Sequence, residues 1–284
     1  MPKFSRGKLK YKVNEKFFDK WSPQMAYLLG FTYADGNIYK TSLSWDLQMR
    51  DEELLVKIKK ALDCDYPIIK RKDSVRLRIS NQILIGGAIK RGLLPKKNLR
   101  NELPNMPNKF LRHFVRGYLE GDGWVVVRKD RNEGDIGFVS GNKEFLDFLC
   151  RTINSKFLVK GRVRTKVKIT AKNVLSTTYH LEYFSSTAFK IAEWVYKNIS
   201  KDDLFLDRKY NKYLEMKKLY DFLNSGTKVV RVVQRRFGRS IKDILRDLYL
   251  KQKLDCVKIV EILGVHSSSI YRWLAQTGIR YGQS

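Results

Sequence analysis

The chain has 284 residues, of which 43% are hydrophobic, so it is long enough to bury one large core or two smaller ones and is not a disordered basic tail. Its 57 Lys and Arg residues outnumber its 29 Asp and Glu residues and give a formal net charge of +28, which favours a polyanionic partner such as nucleic acid. Three scattered cysteines argue against a disulfide framework or a zinc finger, and the lack of an apolar leader or a bilayer-length apolar run predicts a soluble intracellular protein without a membrane partner.

The first predicted unit, residues 1–100, starts its first helix at Ser22-Pro23, a hydroxyl N-cap followed by proline at the first helical position. We expect that helix to end at Gly36 in the left-handed conformation that often follows helices. Periodicity then predicts strands, an amphipathic helix, a hairpin and a closing helix, at 37–39, 42–48, 51–62, 66–70, 75–79 and 82–91. A linker with three prolines, 94–108, follows.

The second predicted unit, residues 101–224, repeats this order. Its elements are expected at 109–121, 124–128, 135–140, 143–154, 161–169, 178–184, 187–198 and 208–223. The sequence therefore predicts an α+β fold in which two αββαββα units form a pseudo-dimer within one chain.

Two nearly equivalent segments lie 87 positions apart (122 − 35), and each is an apolar helical stretch ending in Asp-Gly. Each segment has small residues four positions apart: Gly30 and Ala34 in the first, Gly117 and Gly121 in the second. Such pairs clear one helix face, so two backbones can approach closely. Packing along these faces would bring Asp35 and Asp122 together at the negative end of both helix dipoles, where each carboxylate is repelled. A divalent cation at that point would remove the conflict.

Two strands alternate apolar and basic residues with the period of a half-buried strand. In the first unit the basic positions are Arg76 and Arg78, and in the second they are Arg162, Arg164, Lys166 and Lys168. We expect the apolar positions, including Val167 and Ile169, to face a core. The cationic positions are expected to face DNA.

The helical pattern breaks at Ser225-Gly226-Thr227. Residues 225–240 are predicted to form a basic linker arm, with Arg235 and Arg236 as DNA contacts. Residues 241–284 then show three short helices, at 241–250, 256–263 and 267–276, with a turn at Gly264-Val265-His266. This spacing predicts a small all-α helix-turn-helix domain. Its expected DNA contacts are Ser267, Ser268, Ser269, Tyr271 and Arg272.

The paired segments resemble the motifs of the LAGLIDADG homing endonucleases, specifically the single-chain type with two motif copies. The matching positions are Leu28, Gly30, Ala34, Asp35 and Gly36 in the first copy and Val115, Gly117, Gly121, Asp122 and Gly123 in the second. The resemblance covers residues 22–223 and implies a saddle of two DNA-binding sheets. The helix-turn-helix segment lies outside it and is similar to bacterial and phage domains only in general terms.

The resemblance also implies a catalytic site. Asp35 and Asp122, with the backbone at Ala34 and Gly121, would hold two or three Mg²⁺ ions, for which Mn²⁺ can substitute. Further catalytic residues implied by position are Lys97 and Lys209 near the final helices and Gln48 after the second strand. For these last three, a surface position or a phosphate contact is the competing interpretation, and Lys96 and Arg208 are close alternatives to the two lysines.

The implied activity is intron homing: a monomer that hydrolyses one phosphodiester in each strand of a long double-stranded DNA site. The implied location is the cytoplasm, near the nucleoid, of a prokaryote or phage-infected cell, and an organelle is also compatible. One alternative is a DNA-binding transcriptional regulator that does not cleave, and another is a maturase that binds intron RNA. Intein splicing is disfavoured because a leading Cys or Ser and a terminal His-Asn are missing.

Overall fold

The first unit of the protein has the element order expected from the sequence. The computed structural model describes residues 11–39, 41–95, 100–128, 133–169, 173, 175–224 and 227–279, and the side chains of 222–224 and 227–228 are outside that description. The elements of the first unit are α1 (Pro23–Ala34), β1 (Gly36–Tyr39), β2 (Ser42–Gln48), α2 (Glu52–Ala61), β3 (Ile68–Lys70), β4 (Ser74–Ser80) and α3 (Gln82–Lys90). The Ser22 hydroxyl accepts a hydrogen bond from the Met25 amide at 3.1 Å, which confirms the predicted N-cap.

The second unit repeats this order and adds a helix. Its elements are α4 (Asn108–Asp122), β5 (Gly123–Arg128), β6 (Glu133–Ser140), α5 (Lys143–Phe157), β7 (Val163–Ile169), β8 (Leu175–Phe184), α6 (Ser185–Tyr196) and α7 (Asp207–Asn224). Each unit forms a four-stranded antiparallel sheet, with strand orders β1-β2-β4-β3 and β5-β6-β8-β7. The two units share one hydrophobic core. Among the described residues, no helix combines the length and the apolar character needed to cross a membrane.

The glycines of the two motif helices allow α1 and α4 to pack backbone against backbone. A Cβ added at Gly30 would lie 2.0 Å from the Phe114 carbonyl oxygen, and one added at Gly117 would lie 2.1 Å from the Tyr27 carbonyl oxygen. The offset of 87 that relates the motifs also relates Tyr27 to Phe114, so the contact is a pseudo-twofold one. The predicted close approach is therefore confirmed.

Gly36 has a different role from the one expected. Asp35 keeps a right-handed conformation with φ −98° at the end of α1, and Gly36 directly begins β1 instead of adopting a positive φ. A Cβ at Gly36 would lie 2.2 Å from Cγ2 of Thr32. Glycine is needed at position 36 because the chain turns directly from α1 into β1 and leaves no space for a side chain beside Thr32. A left-handed helix cap is not the reason.

The outer part of the hairpin β7–β8 also differs from the prediction. Val167 is 57% exposed and Ile169 is 71% exposed, so these positions do not face a core. The reason lies in the register: β6 ends where Ser140 pairs with Tyr179, whereas β7 and β8 continue to the pair Ile169–Leu175. Among the described residues, no third strand pairs with this two-stranded extension.

The C-terminal residues form a helical module with a second hydrophobic core. Its elements are α8 (Thr227–Phe237), α9 (Ile241–Leu245), a π-helical continuation (Arg246–Lys251), α10 (Cys256–Leu263) and α11 (Ser267–Thr277). The predicted basic linker arm is thus wrong, because most of it is helical and Val229 and Val233 are buried in the module core. Residues 225 and 226, where the break was predicted, lie outside the described residues.

The helix contact predicts that adding one methyl group to Gly30 is severely destabilising. Gly30→Ala places a Cβ against the Phe114 backbone, which cannot move aside as a side chain could, and should lower the free energy of unfolding by about 3 kcal/mol or more. The matched control is Gly86→Ala in α3, where no atom outside the adjoining residues and the local helix backbone lies within 4 Å of the new Cβ. That variant should be unchanged or more stable by about 0.5–1 kcal/mol in urea unfolding. Equal stabilities of the two variants would contradict the packing described.

Candidate metal centre and nucleic-acid interface

The two motif carboxylates lie at adjoining helix ends. Asp35 follows α1 and is exposed, and Asp122 is the last residue of α4 and is partly exposed. A Cβ on Gly121 would lie 2.3 Å from Cβ of Ala34 and 3.3 Å from the Asp35 amide nitrogen, so the two helix ends touch. Burial raises the pKa of the Tyr118 hydroxyl, and the charges of both Asp122 and Asp35 raise it further. Both carboxylates therefore act on one neighbouring group.

A buried arginine binds the C-terminal end of α1. Nη1 of Arg100 donates to the carbonyl oxygens of Thr32 at 3.2 Å and Tyr33 at 3.0 Å, and Nε donates to the Leu94 carbonyl at 2.7 Å. The side chain is 4% exposed, and its burial lowers the pKa of the guanidinium. Arg100 thus adds donors and a positive charge at a helix end whose last turn contains no basic residue.

A buried lysine binds the C-terminal end of α4 in the same way. Nζ of Lys209 donates to the carbonyl oxygens of Leu119 at 2.8 Å, Glu120 at 2.7 Å and Gly123 at 2.6 Å. Burial lowers the pKa of this ammonium to about 8, and repulsion from Arg208 acts in the same direction. The charges of Glu120, Asp35 and Asp122 oppose the shift.

These two cations are equivalent under the pseudo-symmetry of the units. The offset of 87 relates Thr32 to Leu119 and Tyr33 to Glu120, so Arg100 and Lys209 cap the same two carbonyl positions. The structure thus gives Lys209 a helix-capping role, and its catalytic role stays a prediction. The predicted Lys97 lies outside the described residues. Sequence reasoning missed Arg100, since a cap contributed by a distant linker has no local signal.

The opposite side of the α1–α4 contact holds a buried carboxyl group. Glu120 is fully buried, and its Oε2 accepts hydrogen bonds from the Tyr27 hydroxyl at 2.5 Å and the Leu206 amide at 2.8 Å. Burial raises the pKa of Glu120 to about 7, against the opposing effects of Arg116 and these hydrogen bonds. Glu120 is therefore part of the helix interface and not of an open cleft.

The donor set at the acid end fits a hard divalent cation. Carboxylate oxygens of Asp35 and Asp122, with the backbone at Ala34 and Gly121, are the oxygen ligands that Mg²⁺ prefers, with water completing its shell. A cavity of about 260 Å³ opens beside Asp122, lined also by Arg100, Tyr118 and Ser140, and gives room for such waters. No cluster of three or more His, Cys, Asp or Glu residues able to hold a metal occurs within the described ranges. The protein would thus contribute two carboxylates here.

The outer faces of the sheets are cationic but contain acids. Arg76 is hydrogen-bonded to Asp46 on the neighbouring strand, with Nε at 2.9 Å from Oδ2, and Lys166 donates to Glu182 at 3.1 Å. The remaining predicted sheet contacts, Arg78, Arg162, Arg164 and Lys168, are exposed, as is Gln48 at the end of β2. Pairing with acids holds Arg76 and Lys166 at defined positions on the surface.

A tryptophan lies on the outer face of the second sheet, close to Asp122 in the chain. Trp124 pairs with Gly137 across β5 and β6, and a Cβ at Gly137 would lie 2.1 Å from the indole ring. The Trp124 ring is 5.9 Å from the His180 ring, and its side chain is partly exposed. The pairing with glycine shows that the indole covers a bare backbone on the outer face.

The predicted contacts of the C-terminal module are only partly on the surface. Ser268, Tyr271 and Arg272 are exposed, Ser267 is partly buried, and Arg235 and Arg236 are exposed on α8. Ser269 is 3% exposed, so its predicted role as a DNA contact is wrong. The seryl group is covered because the N-terminal end of α11 packs towards the second unit, where it lines a cavity with Phe189 and Tyr220.

Part of the chain matches a known domain family. Residues 109–193, from α4 into α6, match the family described as LAGLIDADG-like domain. The LAGLIDADG meganuclease I-AabMI bound to uncleaved DNA is similar in structure, with a TM-score of 0.50 and 17% identity over 73% of this chain and 93% of that chain. The chain therefore contains a LAGLIDADG-like domain and has the fold of such a nuclease.

Two further similarities are weaker. Full-length DUF199/WhiA from Thermatoga maritima has a TM-score of 0.41 and 13% identity over 93% of this chain and 94% of that chain. A protein of Methanocaldococcus jannaschii, described as probable translation initiation factor IF-2, is 24% identical over 255 residues, which is 83% of this chain. The chain spans 20% of the length of that curated relative.

The cap on α4 predicts that Lys209 is a stability residue. Lys209→Met leaves three carbonyl oxygens without their donor and should lower the free energy of unfolding by about 3 kcal/mol. Lys209→Arg keeps charge and donors and should recover part of this loss. Lys212→Met, at an exposed position of the same helix, should change stability by less than about 0.5 kcal/mol. Urea unfolding measures all three, and equal effects at positions 209 and 212 would refute the cap.

The pKa of Glu120 predicts a pH-dependent stability. The unfolded chain releases this proton near pH 4.5 and the folded protein near pH 7, so the contribution of Glu120 to stability falls as pH rises between these values. In Glu120→Gln the amide oxygen can accept both hydrogen bonds of Oε2 without ionising. This variant should therefore gain stability relative to the wild type across that pH range. An unchanged difference between the two proteins from pH 4.5 to 7 would contradict the raised pKa, and Glu144→Gln, at an exposed position, is the control.

Proposed function

We propose that the protein is a site-specific, metal-dependent DNA endonuclease of the homing type. The observation that carries this proposal is the meeting of Asp35 and Asp122 at touching helix ends, at the negative pole of two helices. Two carboxylates in such a position repel each other and the negative helix ends, and a bound divalent cation would relieve this repulsion, which favours a metal-binding role. The LAGLIDADG-like domain and the nuclease fold support the same reading.

The proposed mechanism assigns separate tasks to the residues at the helix ends. Asp35 and Asp122 would hold divalent cations, which in this chemistry polarise a phosphodiester and help to generate the attacking hydroxide. The backbone contact between α1 and α4 fixes the spacing of the two carboxylates. Arg100 and Lys209 hold the carbonyl groups of the preceding turn and reduce the negative field on both acids. Gln48, exposed at the end of β2, is the proposed polar residue for positioning water.

The cationic sheet faces are proposed to bind the DNA duplex. Sheets with exposed Arg78, Arg164 and Lys168 can neutralise phosphates and reach base edges in a groove. The pairs Arg76–Asp46 and Lys166–Glu182 combine a donor with an acceptor at one place, which suits a base pair that offers both. Each sheet would serve one half of a long site, so a single chain would suffice.

A DNA-binding regulator that does not cleave is the second candidate. The observation that favours it is the C-terminal module, which has a hydrophobic core of its own and could serve as an additional DNA-binding domain. The buried cations Arg100 and Lys209 also relieve part of the conflict at the helix ends without any metal. The two candidates differ in whether the wild type cuts DNA in the presence of Mg²⁺.

Removal of either motif charge should separate cleavage from binding. Asp35→Asn and Asp122→Asn keep the shape of the side chains but weaken metal binding, so each should abolish double-strand cleavage while duplex affinity changes little. Asp63→Asn, which removes a carboxylate that is 69% exposed and paired with Lys12, is the control and should cut normally. The substrates are sites selected from a randomised DNA library with Mg²⁺. Full cleavage by either motif variant would refute the assignment, and no cleavage by the wild type would favour the regulator.

A further inference from the structure

The C-terminal module contacts the second unit through the beginning of α11. The His266 ring, at the N-cap of α11, has its Nε2 3.1 Å from the Ser185 hydroxyl and 3.4 Å from Oε1 of Glu133. Ser185 also donates to Glu133 at 3.1 Å, so the three residues form one polar cluster. A cavity of about 120 Å³ beside this cluster is lined by residues of the second unit and of the C-terminal module. The start of α11 therefore faces protein.

This contact leaves the start of α11 poorly suited to bind DNA. A recognition helix presents its N-terminal residues to base edges and phosphates. Here Ser269 is buried, and the Nδ1 atom of His266 accepts a hydrogen bond from the Ser268 amide at 3.1 Å. The carboxylate of Glu133 lies beside this helix end, where a phosphate would be repelled.

Helix α8 offers a very different surface. Val229 and Val233 are 1% and 2% exposed in the module core, whereas Arg231, Arg235 and Arg236 are exposed. The sequence of α8 contains no acidic residue, although solvated helix faces usually mix both signs. Arg231 and Arg235 are four positions apart on one face, a like-charge spacing that destabilises an isolated helix. Binding to a polyanion would offset this repulsion, so the pattern favours a nucleic-acid contact on α8.

We propose that α8, and not α11, carries the DNA-contacting surface of the C-terminal module, and that this surface binds duplex DNA through phosphates. The proposal rests on the proposed function for its DNA partner. It also accounts for the contact at Glu133 and Ser185, since the module can remain docked on the second unit while α8 meets the duplex. Contacts of this type position a protein on DNA without reading its sequence.

The salt dependence of binding tests the proposal directly. The full-length protein is titrated with a duplex of mixed sequence, without divalent metal, over a range of NaCl concentrations. Each phosphate contact contributes about 0.9 to the slope of log affinity against log salt, so Arg231→Ala/Arg235→Ala should reduce that slope by about 2. All substituted side chains are exposed, and alanine is a strong helix former, so the fold should be unaffected.

The matched control removes two charges from the other helices of the module. Lys258→Ala/Arg272→Ala changes exposed residues on α10 and α11 and should leave the slope within error of the wild type. A reduced slope in this control with an unchanged slope in the α8 variant would overturn the proposal, and so would unchanged slopes in both. A wild type that fails to bind duplex DNA at all would instead remove the proposed function. Wild-type binding with an unaffected α8 variant removes this inference alone.

Discussion

The backbone contact between α1 and α4 is the constraint on which the rest of the structure depends. Gly30 and Gly117 each face a carbonyl oxygen of the opposite helix at a distance that no side chain could occupy. Because the contact is pseudo-symmetric, it fixes both the distance between the helices and the axis that relates the two units. The first strands of the two sheets begin at Gly36 and Gly123, directly after these helices, so the helix contact also determines where the sheets lie. One pair of glycines thus positions both carboxylates and both sheets.

The same geometry creates an electrostatic problem that the chain solves with its own cations. Two helices end together, and an aspartate follows or completes each last turn, so negative charge accumulates. Arg100 and Lys209 come from segments that are distant in sequence from the two helix ends, and they donate to equivalent carbonyl groups. Both are buried, and burial lowers the pKa of each, which shows that their position is held against a desolvation cost. The carboxylates of Asp35 and Asp122 are the proposed ligands of a divalent cation at this place.

The sequence predicted the features that local chemistry and short periodicities encode. The Ser22 N-cap, the small residues of the motif helices and the order of helices and strands follow from such patterns. Features set by tertiary context were missed. Gly36 is needed because a side chain there would clash with Thr32. Val167 and Ile169 are exposed because β6 does not extend along the part of the hairpin in which they lie. Arg100 and the burial of Ser269 depend on contacts between distant segments. Residues 225–240 were predicted to be a linker because basic residues dominate their composition. The helical spacing of the two apolar residues Val229 and Val233, which are buried in the module core, was overlooked.

The proposed function requires that Asp35 and Asp122 together hold divalent cations at the joined ends of α1 and α4. Its most direct test is an anomalous-scattering map from crystals of the protein with duplex DNA and Mn²⁺. We expect manganese peaks coordinated by carboxylate oxygens of both Asp35 and Asp122, and the loss of peaks at the altered position in Asp122→Asn crystals. Manganese bound elsewhere, with neither carboxylate as a ligand, would contradict the claim.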